Sequence, residues 1–346
     1  MIDPHVHLRD WNQKDKETVE HGLMVAHKAG FTRLFDMPNT NPPITSREMA
    51  IERIALAQEV IKKHFRSSRM AYSLYLGLTS DREQVREVVS ASQELFPLVC
   101  GLKLFAGHST GNMGIVEKEN QEKIFSYLAE FGFEGVVVVH CEKESLMKPE
   151  LFKNGEWDTH SLARPREAEI ESIKDMISLA RKTSFKGNLH IAHISTSEGI
   201  SLVKSAREEG MKITCGVTPH HALLNVEDAK DHDRYLKMNP PLRSEEDRKA
   251  VFDALLDGSA SWAESDHAPH TLEDKEKGAS GIPGISGMLL LLSELRKAGA
   301  DEEHLKDIFG RNVLRTFGFD MEEVKLPERP LEIKKRIDGE YPIRPF

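Results

Sequence analysis

The stretch "DPHVHLRD", residues 3–10, sets two histidines one residue apart and an arginine two further on. Read as a strand, whose side chains alternate between faces, it points His5, His7 and Arg9 the same way. Two imidazoles and a cation make a poor core. They suit a metal with an anion beside it. The stretch belongs to the first of eight short aliphatic or β-branched runs: "MIDPHVHL" (1–8), "FTRLFDMP" (31–38), "MAYSLYLGL" (70–78), "LVCGLKLF" (98–105), "GVVVVHCE" (135–142), "NLHIAHIS" (188–195), "MKITCGVT" (211–218) and "ASWAESDHA" (260–268). The last has the least β-branched content. Between the runs lie segments with apolar residues at helical spacing, among them 46–65, 82–96 and 167–183, with Ser46 and Asp81 as N-caps. Eight strand–helix units predict an α/β fold, a closed (β/α)8 TIM barrel. An open doubly wound sheet is the alternative, but no glycine-rich phosphate loop follows the first strand. The barrel is expected over residues 1–325, including two helical segments after 285. A proline-rich, charged tail over 326–346 either wraps the barrel or is loosely ordered.

Composition narrows the function classes. The chain has 346 residues and a formal net charge of −9, without a basic run, which argues against a nucleic-acid partner. No apolar stretch has the length of a membrane span. The N-terminus lacks the charged-then-apolar pattern of a leader. Cys100, Cys141 and Cys215 form no CxxC pair and read as buried, reduced thiols of a cytoplasmic protein.

A barrel carries its site where strands end and loops begin. The chemical residues of this chain fall there: His5, His7 and Arg9 after run one, Asn39 after run two, Lys103 in run four, His140 in run five, His193 in run six, and Asp266, His267 and His270 in run eight. Four histidines and an aspartate from separate strands suit one or two zinc-like ions, which lower the pKa of bound water to about 7. A paired site needs a bridging anion. This reading places no glutamate at a matching strand end, which turns attention to Lys103 in the apolar "GLKLF". Lys103 has an acidic partner, sends its head to solvent, or is a neutral amine that takes up carbon dioxide as a carbamate.

"DPHVHLRD", "DMPNTNPP", "GLKLFAG", "VVHCE", "IAHIS", "MNPPLR" and "SDHAPH" occur in this order. Together they closely resemble the dihydroorotases of the amidohydrolase superfamily, from residue 3 to about 287. The resemblance implies a metal-dependent hydrolase barrel with two Zn2+ ions, bridged by carboxylated Lys103 and a hydroxide. His5, His7 and Asp266 would bind the more buried ion, and His140 and His193 the second. Asp266 would be the catalytic proton shuttle. Arg9 and Asn39 look like binders of the substrate carboxylate, for which an arginine fork is well shaped. Asn239 and His270 match substrate-contacting positions, and Ser109 and Thr110 match a lid over substrate. The amides at Gly281, Pro283 and Gly284 either serve the substrate ring or simply form a turn. The implied activity is reversible cyclisation of N-carbamoyl-L-aspartate to dihydroorotate in pyrimidine biosynthesis. That reading leaves room for a homodimer and for association with aspartate carbamoyltransferase. The alternatives are another cyclic amidase, an allantoinase or hydantoinase, or a non-catalytic scaffold partner of aspartate carbamoyltransferase.

Three features depart from the family pattern. Only two residues precede Asp3, so no complete N-terminal β-sandwich is expected. The common "RDPG" is "RDWNQ" here. The chain's net negative charge leaves attraction of an anionic substrate to local groups. The remaining histidines read as bystanders. His21, His27, His64, His160, His232 and His304 are expected on surfaces or helices, and His108 exposed. His190 should face the helical layer, because it lies three residues from His193. His220 and His221 read as loop residues, although one of them could orient a ligand, and His267 should face away from Asp266.

Overall fold

In the computed structural model, which describes residues 1–109, 111–230 and 235–346, eight parallel strands form one sheet in sequential order. They are β1 (Ile2–Val6), β2 (Arg33–Asp36), β3 (Ala71–Gly77), β4 (Val99–Phe105), β5 (Val136–His140), β6 (Asn188–Ile191), β7 (Ile213–Val217) and β8 (Trp262–Ala263). The sheet closes on itself just past β8, where His7 N donates to His267 O at 2.8 Å and Val6 pairs with His267. The expected (β/α)8 barrel is the observed fold.

Alternation along the strands divides the apolar residues into two layers. Phe35, Tyr75, Val136, Val138, Ala192 and Trp262 fill the barrel interior. Leu34, Leu74, Leu76, Val137, Val139, Leu189 and Ile191 face the helices. Val313, Leu314, Phe317 and Phe319 join the interior group and plug the end opposite the mouth. Each fully buried aliphatic or aromatic side chain of this kind contributes about 1.5–3 kcal/mol.

The helices are α1 (Val19–Lys28), α2 (Arg47–His64), α3 (Arg82–Glu94), α4 (Lys118–Glu130), a short α5 (Thr159–Ala163), α6 (Arg166–Lys182), α7 (Ser197–Glu208), a short α8 (Pro219–Leu223), α9 (Glu245–Asp257), α10 (Leu272–Glu276), α11 (Ile285–Lys297), α12 (Glu302–Lys306), α13 (Asn312–Phe317) and α14 (Pro330–Ile337). Ser46 and Asp81 cap α2 and α3 as expected, accepting from Met49 N at 3.3 Å and Gln84 N at 2.8 Å. The second segment expected after residue 285 is broken at Phe309–Gly310, so it becomes two helices, α12 and α13. In the tail, α14 packs on α11, and Tyr341 reaches a buried cluster with Glu17 and His267. Among the described residues, no helix is long and apolar enough to cross a membrane.

Candidate active site

The mouth of the barrel is built where strands give way to left-handed turns. β1 shifts register between Asp3 and Val6 and then ends, so His5 and His7 project into the mouth side by side, ring centroids 5.4 Å apart. Arg9 (φ 46°), His193 (φ 39°) and Asp266 (φ 45°) all have left-handed backbones that L-residues seldom adopt. Each such conformation costs about 1–3 kcal/mol and persists because its surroundings enforce it. Arg9 therefore joins the two histidines through a sharp turn, not through the continued strand that the alternation predicted. One cavity is lined by His5, His7, Arg9, Asn39, Lys103, Ser109, His140, His193, Asn239 and Asp266, together with Ala268, Ser280 and Gly281.

Two groups of donors face each other across it. Asp266 Oδ1 lies 3.0 Å from His7 Nε2 and 3.4 Å from His5 Nε2, and one donor atom from each of these residues lies within 4.8 Å of the others. His140 Nδ1 lies 3.2 Å from His193 Nε2. The His5 and His193 rings, 5.1 Å apart, link the groups. Lys103 projects from β4 with only 1% of its surface exposed, and its Nζ has no hydrogen-bond partner among the described residues.

The electrostatics favour ligation. Burial holds His5 at about 4 and pushes His7, His140 and His193 below the usual imidazole range, so all four are neutral at pH 7, the form that binds metal. Burial lowers the Lys103 amine to about 8 and raises the Asp266 carboxyl. His193 Nδ1 and Lys103 Nζ are buried without partners among the described residues, which is costly for polar atoms that nothing else satisfies. A set of imidazole nitrogens, one carboxylate and one amine is borderline in hardness and suits zinc. The residues present thus fit a metal centre. Partners behind the ligands hold their orientation: Asn39 Oδ1 accepts from His7 Nδ1 at 2.7 Å, and Glu142 Oε2 lies 2.9 Å from His140 Nε2.

The other expected contacts divide. The Arg9 guanidinium is buried, with Nε and Nη1 unpartnered among the described residues and burial lowering it to about 10. Asn239 is on the wall, with its Oδ1 facing His160 Nε2 at 2.8 Å. His270 is not on the wall. Its Nε2 donates to Ser280 O at 3.0 Å, so it stands behind a residue that lines the cavity. Ser109 lines the cavity, and His108 is exposed as expected. Thr110 and His232 lie outside the described residues.

Several expectations need correction. A glutamate does stand at a strand end: Glu264, just past β8, is 1% exposed and lies inside the barrel beneath the histidines. The signal for it in the sequence is slight: Trp262 and Glu264 in "WAESD" have the spacing of one strand face, but the strand itself ends at Ala263. His190 also points inward, not to the helical layer; it stacks on Trp262 at 4.4 Å. The left-handed backbone at His193 breaks the strand's alternation, so both histidines reach the interior. His160 lies on the short helix α5, within the surface-or-helix expectation, and is buried there behind Asn239. His220 and His221 are buried on α8, where His221 Nε2 donates to Pro240 O at 3.0 Å. His267 does face away from the cavity, toward Glu17 and Tyr341.

Known proteins similar to this chain are named as dihydroorotases and hydantoinases. A family described as "Dihydro-orotase-like" matches residues 1–89. A dihydroorotase from Thermococcus kodakarensis is 36% identical over 301 residues, 86% of this chain and 63% of its own length. One from Bacillus cereus is 31% identical over 333 residues, covering 94% of this chain and 74% of that protein. The chain thus spans slightly less than two thirds of the Thermococcus relative. Among solved structures, an L-hydantoinase (dihydropyrimidinase) from Arthrobacter aurescens superposes with a TM-score of 0.79 at 24% identity, over 92% of this chain and 70% of that one. A dihydroorotase from Campylobacter jejuni superposes with a TM-score of 0.70 at 21% identity, over 93% and 84%. The structures share the barrel, and the sequence match over most of both chains decides the lineage: this chain belongs to the dihydroorotase family.

Proposed function

We propose that the chain is a dihydroorotase, interconverting dihydroorotate and N-carbamoyl-L-aspartate. The observation that carries the reading is Arg9, a buried guanidinium whose Nε and Nη1 have no partner among the described residues, in the cavity that also holds the histidines and Asp266. Asp266, Asp36, Asp274 and Glu17 offset part of the charge of Arg9, but its buried, unpartnered N–H groups remain costly, and a bound carboxylate would satisfy them with paired, charge-assisted hydrogen bonds. Dihydroorotate carries that carboxylate; a simple hydantoin or allantoin ring does not.

His5, His7 and Asp266 would hold one zinc ion and His140 and His193 a second, with Lys103 as its carbamate shared between them. When bound, the ions supply Lewis acidity and an acidified water. The rest of the chemistry belongs to the chain. Arg9 grips the substrate carboxylate, with Asn39 and Asn239 on the same wall, and so sets the ring amide above Asp266. Asp266 takes a proton from the water that attacks the amide carbonyl carbon. It then delivers that proton to the ring nitrogen as the C–N bond breaks. In the reverse direction the ureido nitrogen attacks the side-chain carboxylate carbon. Asp266 takes the nitrogen's proton and returns it to the departing oxygen. The raised Asp266 carboxyl suits a group that must hold a proton between these steps. His270 positions Ser280 from behind.

The test is steady-state turnover of dihydroorotate, allantoin and hydantoin by the zinc-supplemented protein, with Arg9→Ala alongside. The reading requires dihydroorotate to be preferred and Arg9→Ala to abolish that preference while keeping its metal. Equal turnover of the uncharged rings, or loss of zinc in the variant, contradicts it.

A further inference from the structure

Glu264 is a buried carboxylate that none of the steps above uses. It rises from the barrel floor, where three donors bond to it and a fourth nitrogen, His5 Nδ1, stands close without a hydrogen bond. Oε1 accepts from the backbone N–H of His193 at 2.5 Å and faces Nδ1 of His5 at 3.5 Å. Oε2 accepts from His190 Nε2 at 3.2 Å and Trp262 Nε1 at 3.0 Å. The neighbouring strand makes room for it: a Cβ on Gly216 would sit 2.2 Å from Glu264 Cδ, so any side chain there would displace the carboxylate.

We propose that Glu264 is the positioning residue of the metal centre, one carboxylate that sets ligands from two different strands. Facing His5 Nδ1, it favours the tautomer with the proton on that nitrogen. That leaves Nε2, 3.4 Å from Asp266 Oδ1, with its lone pair toward the ion. By accepting the His193 N–H, it clamps the left-handed backbone that turns His193 into the mouth. Its second oxygen is anchored by His190 and Trp262, so the carboxylate cannot swing away from the ligands. Asn39 and Glu142 each stand behind one ligand, whereas Glu264 governs two. A glutamine does not replace it. The carboxylate only accepts, whereas an amide would bring two N–H donors to a spot already ringed by donors.

The assignment rests on the metal-site reading above, and its test separates the two. Zinc affinity of the purified full chain is measured by competition with a chromophoric chelator, for the parent and for Glu264→Gln of matching circular dichroism. The cobalt-loaded forms are compared by visible absorption. Glu264→Gln is expected to bind zinc about 10–100-fold more weakly, with altered cobalt bands that report a changed ligand geometry. If that variant does not fold, Trp262→Phe removes one anchor and keeps the carboxylate, and its zinc affinity should fall measurably, with shifted cobalt bands. A parent that takes up no zinc overturns the metal reading and the assignment with it. A parent that binds zinc, with unchanged affinity and cobalt bands in whichever variant folds, overturns the Glu264 assignment alone.

Discussion

Arg9 and Lys103 are both deeply buried cations on the wall of one cavity, yet they differ in what they ask of it. Arg9 keeps most of its basicity, at about 10, and two unpartnered N–H groups, so it waits for an anion. Replacing it with lysine keeps the charge and loses the fork. Arg9→Lys is expected to lower kcat/KM for dihydroorotate by about 10–100-fold, the worth of one charge-assisted hydrogen bond of about 1.5–3 kcal/mol. Metal content measured on the same preparation should not change. Lys103 sits at about 8 with no partner for its Nζ among the described residues, and the proposed carbamate would satisfy it. Lys103→Ala should therefore bind one zinc ion or fewer where the parent, reconstituted with bicarbonate, binds two. Full occupancy in the variant would remove Lys103 from the metal centre.

Between elements, the site leans on a buried ion pair outside the barrel wall. Arg53 of α2, fully buried, donates to Asp36 Oδ2 of β2 at 2.7 Å, and Tyr72 Oη of β3 donates to the same oxygen at 2.7 Å. Asp36 Oδ1 accepts from Leu8 N at 2.9 Å, so this cluster also anchors the turn that presents Arg9. Arg53→Met strands Asp36 in a dry environment and should cost about 3–5 kcal/mol in urea unfolding; a cost below 1 kcal/mol would contradict that reading. The capping residues of α2 and α3 were readable from the sequence, because a cap is a bond across three residues. The histidines at strand ends were readable too, because barrel chemistry collects there. The inward turn of His190 was not. Its neighbour His193 leaves the strand with φ 39°, and that conformation is enforced by Glu264, some seventy residues away in sequence. Glu264 itself was hidden because β8 is two residues long, too short to signal which side chains share its face.

Over the whole molecule, the two ends of the chain meet behind the site. The Met1 amino group donates to Lys325 O at 3.2 Å. Farther along, Tyr341 Oη donates to Glu17 Oε2 at 2.6 Å and pairs with His267, the residue after Asp266, at 2.9 Å. Burial alone would raise the Glu17 carboxyl, but hydrogen bonds from His21 and His267 outweigh it and hold the group at about 2. A carboxyl depressed on folding adds stability above its unfolded value, about 4.3, and loses it as pH falls through the folded value. Stability should therefore drop by about 2–3 kcal/mol between pH 5 and pH 2 on account of this one group. In Glu17→Gln that part of the acid slope should vanish; an unchanged slope in urea titrations would contradict it. The same architecture, read as a dihydroorotase with two zinc ions and a waiting Arg9, commits the chain to one substrate. The decisive measurement is turnover of dihydroorotate by the purified, zinc-reconstituted chain, set against hydantoin and allantoin in one assay. Hydrolysis of dihydroorotate is expected to require zinc and to far exceed that of either uncharged ring. A folded, zinc-loaded protein that leaves dihydroorotate intact, or opens the uncharged rings as fast, would contradict it.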